Sequence, residues 1–295
     1  MEMLVFGHGY SAGYLTPLLT ARGWRVTGTT RGDTDRVAAA GAQPVLWPGS
    51  EDAVRAAIGR ADAMLISAAP TDGGDPVLAA FRDDLARARP RWIGYLSTTG
   101  VYGDRQGGWV DEDSVLDGSG PRGQARIRAE AAWQALAREQ DLPLHIFRLA
   151  GIYGPGRGPF QKVRDGTARR IIKPGQVFSR IHVEDIAKVL LASITAPAPG
   201  GIYNLCDDDP APPQEVIEHA ARLLGLPVPP AIPFEQAQMS PMARSFYADS
   251  KRVRNDRIKR DLGVSLRYPD YRSGLAALLQ AEDPASHCQP RRPVH

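Results

Sequence analysis

A glycine-rich stretch near the start of the chain has the residue types of a phosphate-binding turn. It follows the apolar run at 3–6 and reads Gly7-His8-Gly9-Tyr10-Ser11-Ala12, with Gly13 as a second candidate for the last small position. In the pattern G-x-G-x-x-G/A, the first glycine permits a tight turn, the second lets the backbone approach a pyrophosphate, and the last small residue lets a helix pack on a strand. Phosphate oxygens then meet unpaired N–H groups at the helix N-terminus. The stretch therefore predicts a dinucleotide site, with a purely structural turn as the alternative.

The residues about 20 positions further on select the dinucleotide, because the ribose-reading side chain is expected there. An Asp or Glu at this point would accept hydrogen bonds from the ribose hydroxyls of NAD, but this chain has Thr29, Thr30 and Arg31. A guanidinium can pair with a 2′-phosphate. We therefore expect Thr30 and Arg31 to contact the cofactor, and NADP(H) to be favoured over NAD(H).

Alternating strands and helices must position these groups. Short apolar runs predict strands at 3–6, 24–29, 44–47, 63–67, 92–97 and 144–149, and amphipathic segments predict helices at 12–22, 34–40, 51–58, 76–88 and 124–140. This alternation indicates an α/β fold of the Rossmann type, a doubly wound parallel sheet covered on both faces. Ligands bind outside the carboxyl ends of such strands. Residues after two strands are accordingly predicted to bind the cofactor: Ser67, Ala68, Ala69, Ala150, Gly151 and Ile152.

The regular alternation of predicted strands and helices ends after residue 150, which suggests a boundary in the organisation of the chain. We predict an NADP(H)-binding Rossmann domain at 1–150, a smaller C-terminal substrate lobe at 151–282 interleaved with the end of the Rossmann sheet, and a disordered polar tail at 283–295. The net charge of +3 argues against a nucleic-acid partner. The densest basic cluster, at 251–260, is expected to be a solvated helix face, with an anion site as the alternative.

Cysteine usage and hydropathy set further limits. The chain has two cysteines, Cys206 and Cys288, in unrelated contexts, so neither a disulfide framework nor a metal site is expected. No signal sequence and no membrane-spanning apolar stretch is recognisable. We therefore expect a cytoplasmic protein that has no membrane partner.

Four further segments resemble motifs of the extended short-chain dehydrogenases/reductases, the NAD-dependent epimerase/dehydratase family. They are LSTTGVYG at 96–103, RLAGIYGPGR at 148–157, IHVEDIA at 181–187, and YNL at 203–205 with Asp207. The resemblance extends from residue 3 to about residue 280. It implies an oxidoreductase or epimerase that transfers hydride at the nicotinamide and acts on a polar, sugar-like or carbonyl small molecule. It also implies a homodimer formed through the helix at 124–140.

The resemblance implies a catalytic set from which this chain departs. In the family a Ser or Thr orients the substrate oxygen, and the tyrosine of Y-x-x-x-K is the acid/base whose pKa the lysine lowers. These positions fall on Thr98, on Arg122 for the tyrosine and on Arg126 for the lysine. An arginine does not exchange a proton near neutral pH, so Arg122 cannot replace the tyrosine. Arg126 can still bind the nicotinamide ribose.

Other side chains are candidates for the acid/base role that Arg122 cannot fill, and for contact with the substrate. The predicted substrate contacts are Tyr102, Tyr153, Arg157, Arg180 and His182. Tyr102, Tyr153 and His182 are also candidate acids, but each has a plainer interpretation. The tyrosines can be packing or wall residues, and His182 can be a turn histidine beside an N-capping Asp185.

Arg157 and Arg180 are expected to flank the cleft and to pair with an anionic or hydroxylated ligand, with ordinary surface placement as the alternative. The rival function is a non-catalytic NADP(H)-binding redox sensor or regulatory protein. That rival would keep the cofactor site and lack turnover.

Overall fold

A single parallel sheet forms the centre of the computed structural model, which describes residues 1–118, 120–195 and 200–282. Its seven strands lie in the order β11-β7-β5-β4-β1-β2-β3, and every neighbouring pair is parallel. The strands of the chain are β1 Glu2–Phe6, β2 Arg25–Thr30, β3 Gln43–Leu46, β4 Ala63–Ile66, β5 Trp92–Thr98, β6 Trp109–Val110, β7 Leu144–Leu149, β8 Gly151–Tyr153, β9 Arg170–Ile172, β10 Arg180–His182, β11 Gly201–Leu205, β12 Ala231–Pro233 and β13 Arg252–Val253.

Helices cover both faces of this sheet, which confirms the Rossmann-type α/β fold. The helices of the described residues, on the sheet and outside it, are α1 Tyr10–Thr20, α2 Thr34–Ala39, α3 Glu51–Arg60, α4 Pro76–Arg87, α5 Gly120–Gln140, α6 Phe160–Arg164, α7 Val183–Thr195, α8 Pro213–Leu223, α9 Pro241–Phe246, α10 Asp256–Leu262 and α11 Tyr271–Glu282. The strands and helices predicted up to residue 149 are all present, and their ends differ by at most four residues.

The alternation of side chains along β1 shows how the two layers are built. Met3 and Val5 enter an apolar cluster with α1 and α7, whereas Leu4 and Phe6 enter the cluster formed with α3, α4 and α5. Successive side chains of a strand point to opposite faces, so one apolar strand serves both layers. The continuous apolar run at the start of the chain is therefore explained by burial on both sides.

The chain after β7 builds a second, smaller core and then returns to the main sheet. Apolar side chains of α6, α8 and α11 pack together around Phe160, Ala220 and Leu275. β11 pairs with β7 at the edge of the main sheet, and three short parallel pairs, β8 with β10, β9 with β12 and β6 with β13, lie outside it. We call the smaller core and these short strand pairs, with the loops that join them, the second lobe. The division at residue 150 stays a prediction, and the tail expected at 283–295 lies outside the described residues.

The basic cluster at 251–260 differs from the expectation of one exposed helix face. Arg252 and Val253 form β13, and the helix α10 begins only at Asp256. Lys251 is 9% exposed and faces inward. The strand separates the cluster into an inward and an outward part, so its residues do not share a solvated face.

None of the described helices has the length and apolarity needed to cross a lipid bilayer.

Candidate functional site

The glycine-rich turn between β1 and α1 has the backbone geometry of a phosphate-binding loop. Gly7 has a φ of +76°, and its N–H donates to Thr29 Oγ1 at 2.8 Å. A Cβ on Gly7 would lie 3.0 Å from the backbone nitrogen of Ala68, whereas a Cβ on Gly9 would have Gly7 O, at 3.7 Å, as its nearest neighbour. Gly7 is thus required by close packing, and Gly9 leaves an open surface before the N-terminus of α1.

His8 contributes to this turn through its backbone, because its imidazole is buried beneath the loop. Its Nε2 lies 2.8 Å from Thr16 Oγ1, and burial lowers the pKa of the ring. Arg36 Nη2 donates to the carbonyl oxygen of His8 at 2.8 Å. Ala12 is buried in the same layer. The predicted cofactor role of His8 can therefore involve only main-chain atoms.

The end of β2 carries the residues predicted to select the dinucleotide. Thr30 Oγ1 accepts the N–H groups of Gly32 at 3.4 Å and Asp33 at 3.2 Å, which fixes the turn into α2. Arg31 is exposed at this turn. Arg36, which contacts both Asp33 and the glycine-rich turn, is a second cation that sequence reasoning missed. The local signal for Arg36 was its place in the first turn of α2, three residues after the N-cap Asp33.

A cleft of about 920 Å³ lies at the carboxyl ends of the strands, between the main sheet and the second core. It brings together half of the predicted site residues: Tyr10, Ser11, Ser67, Thr98, Arg126, Ala150, Gly151, Ile152, Tyr153, Arg157 and Arg180. The others do not line it: Gly7, His8, Gly9, Ala12, Thr30, Arg31, Ala68, Ala69, Tyr102, Arg122 and His182. Several of these, including Gly9 and Arg31, lie in the loops at the same edge of the sheet.

Thr98 and Arg126 both line the cleft at the carboxyl end of β5. Thr98 Oγ1 accepts the N–H of Gly100 at 3.1 Å, which caps the following 3₁₀ turn. Arg126 extends from α5, and its Nη1 donates to Leu96 O at 2.7 Å and to the Tyr95 hydroxyl at 3.2 Å. The half-buried guanidinium is therefore held in a fixed position on the wall of the cleft.

Arg122 occupies a different environment, one turn earlier on α5. It is exposed, and it does not line the cleft. The next residue, Gly123, packs so tightly that an added Cβ would lie 2.9 Å from Gly118 Cα and 3.2 Å from Gly100 O. Close backbone packing thus fixes the first turn of α5 beside the 3₁₀ turn, while the Arg122 side chain extends to solvent.

Tyr102 belongs to a buried polar network and not to the substrate wall that was predicted. Its hydroxyl donates to Asn204 Oδ1 at 2.7 Å and accepts from Arg148 Nη1 at 3.0 Å. Burial raises its pKa to about 12. Both functions of the hydroxyl are thus used inside the protein, so the expectation that Tyr102 contacts substrate is not supported.

His182 also lies outside the cleft, and it takes the structural role that was the plainer interpretation. Its Nδ1 accepts the N–H of Glu184 at 3.2 Å, which caps the start of α7. Its ring packs between Tyr153 and Tyr268, with centroid distances of 5.1 and 4.1 Å. Burial lowers the pKa of His182 to about 4, so the ring is neutral near pH 7.

Asp185 is not the N-cap of α7, contrary to the expectation. Its carboxylate is buried and accepts the N–H groups of Arg267 at 2.7 Å and Tyr268 at 2.9 Å. Asp185 therefore connects α7 to the segment before α11, and His182 caps the helix.

Tyr10 and Arg157 close the cleft above the glycine-rich turn. The Tyr10 hydroxyl donates to Pro155 O at 2.9 Å, and the Arg157 guanidinium lies 5.5 Å from the centre of the Tyr10 ring. Gly154 is required here, because a Cβ would lie 2.6 Å from the Tyr10 hydroxyl. The GIYGPGR segment of the second lobe thus packs directly on the first residue of α1.

Arg180 lies deeper, at the second-lobe wall. Its Nη1 donates to Phe178 O at 2.8 Å and to Ala211 O at 3.1 Å. Burial lowers its pKa, and the negative charge of Asp207 opposes this shift. Arg180 is therefore a half-buried cation that lines the cleft, where the sequence placed it.

Sequence reasoning missed several residues of the same wall. Lys251 Nζ donates to Gly103 O at 2.7 Å and to Asp249 Oδ2 at 3.2 Å, and burial lowers the pKa of the ammonium. Aromatic residues stand beside it in the cleft: Phe178, Phe246 and Tyr247. These residues follow no motif, and only the folding of the second lobe brings them to the site.

The parallel sheet, the glycine-rich turn and the cleft at the carboxyl ends of the strands are features of NAD(P)-binding Rossmann proteins, and they place this chain in that class. Residues 71–206 match the model of the NAD dependent epimerase/dehydratase family. Protein YeeZ of Escherichia coli K12 is 30% identical over 91% of this chain and 97% of its own length. The chain belongs to the NAD-dependent epimerase/dehydratase family, as its motifs predicted.

Other similar proteins differ in how much of them the chain covers. A Streptomyces protein named 3-diazoavenalumate denitrifying reductase is 31% identical over 56% of this chain, but the match spans only 58% of that protein. A functionally unknown conserved protein from Silicibacter pomeroyi has a solved structure with 57% identity and a TM-score of 0.90, covering 95% of this chain and 98% of that one. The human epimerase family protein SDR39U1, solved with NADPH, has 21% identity and a TM-score of 0.74 over 95% and 99% of the two chains, which shows a common fold.

Proposed function

We propose that this protein is an NADP(H)-dependent oxidoreductase or epimerase-like enzyme that acts on a polar carbonyl or sugar-like small molecule. One observation carries the proposal. The glycine-rich turn, open at Gly9, stands at the same sheet edge as a cleft that is lined by both Thr98 and Arg126. A dinucleotide lying along that edge would extend from the α1 N-terminus to the substrate wall.

The residues of the turn fit a dinucleotide. Gly9 and the first turn of α1, with Tyr10 and Ser11, would hold the pyrophosphate through backbone N–H groups. Thr30 and Arg31 would face the adenosine ribose, and Arg31 would pair with a 2′-phosphate. The structure of SDR39U1 with NADPH supports this cofactor through the shared fold.

The other half of the cleft would hold the reactive end of the cofactor. Arg126, fixed by Leu96 O and Tyr95, would donate to the nicotinamide ribose, and Ser67 and the segment from Ala150 to Ile152 would form the remaining contacts. NADP(H) supplies the hydride donor or acceptor. Thr98 would orient the substrate oxygen.

Two glycines of α1 and its preceding turn give a matched test of cofactor binding. A Cβ on Gly9 would occupy the open surface where the pyrophosphate is proposed, whereas Gly13 has nothing within 4 Å and lines a groove between α1 and α7 on another side. We expect Gly9→Val to abolish NADPH binding in a fluorescence titration, and Gly13→Val to retain it. Circular dichroism establishes that both variants are folded. Unchanged affinity in a folded Gly9→Val protein contradicts the proposed pose.

A non-catalytic NADP(H)-binding sensor is the second candidate, and a specific observation favours it. Arg122, at the position of the family tyrosine, is exposed and cannot donate a proton near neutral pH. Three tyrosines line the cleft: Tyr10, Tyr153 and Tyr247. Burial raises the pKa of all three, and the hydroxyls of Tyr10 and Tyr153 donate to backbone carbonyls. Oxidation of NADPH in the presence of a panel of aldehydes, ketones and nucleotide sugars decides between them. Turnover supports the enzyme, and tight NADPH binding without turnover supports the sensor.

A further inference from the structure

The charges lining the cleft are strongly biased. The cationic residues are Arg126, Arg157, Arg180 and Lys251, and Asp249 is the acidic one among the described lining residues. Asp249 lies 3.2 Å from Lys251, so it offsets part of one positive charge. The proposed cofactor would use Arg126 on its own side. Two cations, Arg180 and Lys251, are then left on the second-lobe wall, away from the glycine-rich turn.

Arg180 is a half-buried cation that uses one of its three guanidinium nitrogens in its described hydrogen bonds. In the part of the chain that the structure describes, its hydrogen bonds both come from Nη1 and both go to backbone carbonyls. Asp207 is buried nearby, but its two carboxylate oxygens have no hydrogen-bond partner among the described atoms. A charge that is partly removed from water is better stabilised when a counter-ion also accepts its hydrogen bonds, which Asp207 does not do. An anion in the cleft would supply the missing contacts to Nε and Nη2.

Lys251 faces the same space from the strand end before β13. Its ammonium uses two hydrogens on Gly103 O and Asp249, and an ammonium has three. The side chain is buried, so its remaining hydrogen has little access to bulk water. Lys251 lines the same cleft as Arg180, and its third hydrogen is available to an anion bound there.

Aromatic side chains form the rest of that wall, and further side chains pack against the side that faces away from the cleft. Phe178 meets Tyr247 edge to face, with ring centroids 5.4 Å apart, and Tyr247 packs on Phe234 at 5.4 Å. Phe234 in turn has the Arg244 guanidinium 4.9 Å from its ring centre. Offset and edge-to-face contacts favour a flat ligand over a bulky saturated one. The cleft of about 920 Å³ is in the range that holds a single ligand of moderate size, and it must also admit the nicotinamide end of the cofactor.

We propose that Arg180 and Lys251 bind the carboxylate of a small planar acid, aromatic or conjugated, whose flat body packs against Phe178 and Tyr247. The proposal rests on the proposed function, because it places the acid in the substrate half of the NADP(H) cleft. It assigns the substrate class by charge and shape.

Three probes test the proposal on the NADPH-saturated wild-type protein. Cinnamate carries both features, cinnamamide lacks the charge, and 3-cyclohexylpropanoate keeps the carboxylate but loses the flat conjugated body. Isothermal titration is expected to show cinnamate binding at least tenfold more tightly than either analogue. Equal affinity for the amide overturns the anion site, and equal affinity for the saturated acid overturns the aromatic subsite.

Variants locate the site on this wall. Arg180→Met and Lys251→Met are each expected to weaken cinnamate binding at least tenfold and to leave the NADPH dissociation constant unchanged. Arg254→Met removes a charge three residues from Lys251 at an exposed position and should change neither value. Tyr247→Leu reports on the aromatic wall if Arg180→Met does not fold. Unchanged cinnamate affinity in the folded variants overturns the assignment, whereas failure of the wild type to bind NADPH at all contradicts the proposed function instead.

Discussion

Glu130 and Arg148 form an ion pair that is almost completely excluded from solvent. Arg148 Nη2 lies 2.8 Å from Glu130 Oε2, and the two side chains are 3% and 2% exposed for arginine and glutamate. The pair joins α5, which carries Arg126, to β7, which leads into Ala150. Glu130 also accepts from Ser97 at 2.5 Å, next to Thr98. Three parts of the cleft wall are thus fixed to one another by a single buried carboxylate.

Replacement of Glu130 by glutamine should destabilise the protein strongly. It leaves Arg148 buried without a counter-charge, and breaking a buried pair in this way costs about 3–5 kcal/mol. Urea denaturation measures the loss. Glu139→Gln on the same helix is the control, because its pair with Arg82 has side chains 53% and 45% exposed and should contribute at most about 1 kcal/mol. Equal losses in the two variants would show that the buried pair is not a main determinant of stability.

Arg31→Ala should remove the preference for NADPH. Loss of charge-assisted hydrogen bonds to the 2′-phosphate is worth about 1.5–3 kcal/mol, or roughly 10- to 100-fold in affinity. Fluorescence titrations with NADPH and NADH measure both dissociation constants, and that for NADH should not change. Arg25→Ala removes the same charge at the opposite end of β2 and serves as control. If the wild type binds the two cofactors equally, the role of Arg31 is refuted.

Alanine substitutions at two arginines of α5 should differ in their effect on NADPH binding. Arg126→Ala removes the guanidinium held by Leu96 O at the cleft and should weaken NADPH binding about tenfold or more. Arg122→Ala changes an exposed side chain and should alter neither NADPH affinity nor stability beyond about 0.5 kcal/mol. Titration and urea denaturation of both variants check the pair. A large loss of affinity in Arg122→Ala would place this residue in the cofactor site.

Arg122→Tyr tests whether this position can supply the acid of the family motif. The side chain at 122 extends to solvent and does not line the cleft, so a phenol there would be too far from a substrate held near Thr98 to transfer a proton to it. We expect NADPH oxidation with simple carbonyl compounds and the NADPH affinity to stay at their wild-type values. A clear rise in turnover would show that position 122 reaches the cleft and acts as the family tyrosine does.

Buried histidines should make the protein less stable as the pH falls below about 6.5. Burial lowers the pKa values of His145 and His182 from 6.5 to about 4. Between these values the unfolded chain binds protons that the folded protein does not, so stability is complete above pH 6.5 and decreases toward pH 4. Each histidine contributes up to roughly 3 kcal/mol to this decrease.

Urea denaturation at pH 7 and pH 4.5, in the wild type and in His182→Asn, measures the effect. The asparagine retains a hydrogen-bond acceptor for the Glu184 N–H but does not titrate, so the variant should lose less stability between the two pH values than the wild type. The same pH dependence in both proteins would mean that His182 is protonated without cost in the folded state.

The sequence predicted the parts of the site that local patterns determine. The turn from Gly7 to Ala12, the position of Thr98 and the packing of Arg180 at the cleft follow from elements in chain order and from the rule that ligands bind at the carboxyl ends of strands. Tyr102 was misplaced because its motif gives its position on the 3₁₀ turn but not the direction of its side chain. Its hydroxyl turns to Asn204, a residue 102 positions away.

Lys251 was misread for a related reason. In the sequence it begins a run of basic residues, and composition alone favours a solvated surface for such a run. Burial of one member depends on the pairing of β13 with β6 and on a carbonyl 148 positions away. Contacts between segments so distant in sequence are decided by tertiary packing, for which the chain has no local signature.

The contact between Tyr10 and Pro155 has a kinetic consequence. Tyr10 is the first residue of α1, whose N-terminus would hold the pyrophosphate, and its hydroxyl is bound to the second lobe. Space for a dinucleotide to enter or leave this end of the cleft therefore depends on separating the turn at Gly154 to Arg157 from the α1 N-terminus. Under the proposed function, the rate at which the hydrogen bond between Tyr10 and Pro155 breaks would set an upper limit on the rate of cofactor exchange. A protein in which this contact stayed formed would retain its dinucleotide through many encounters with substrate.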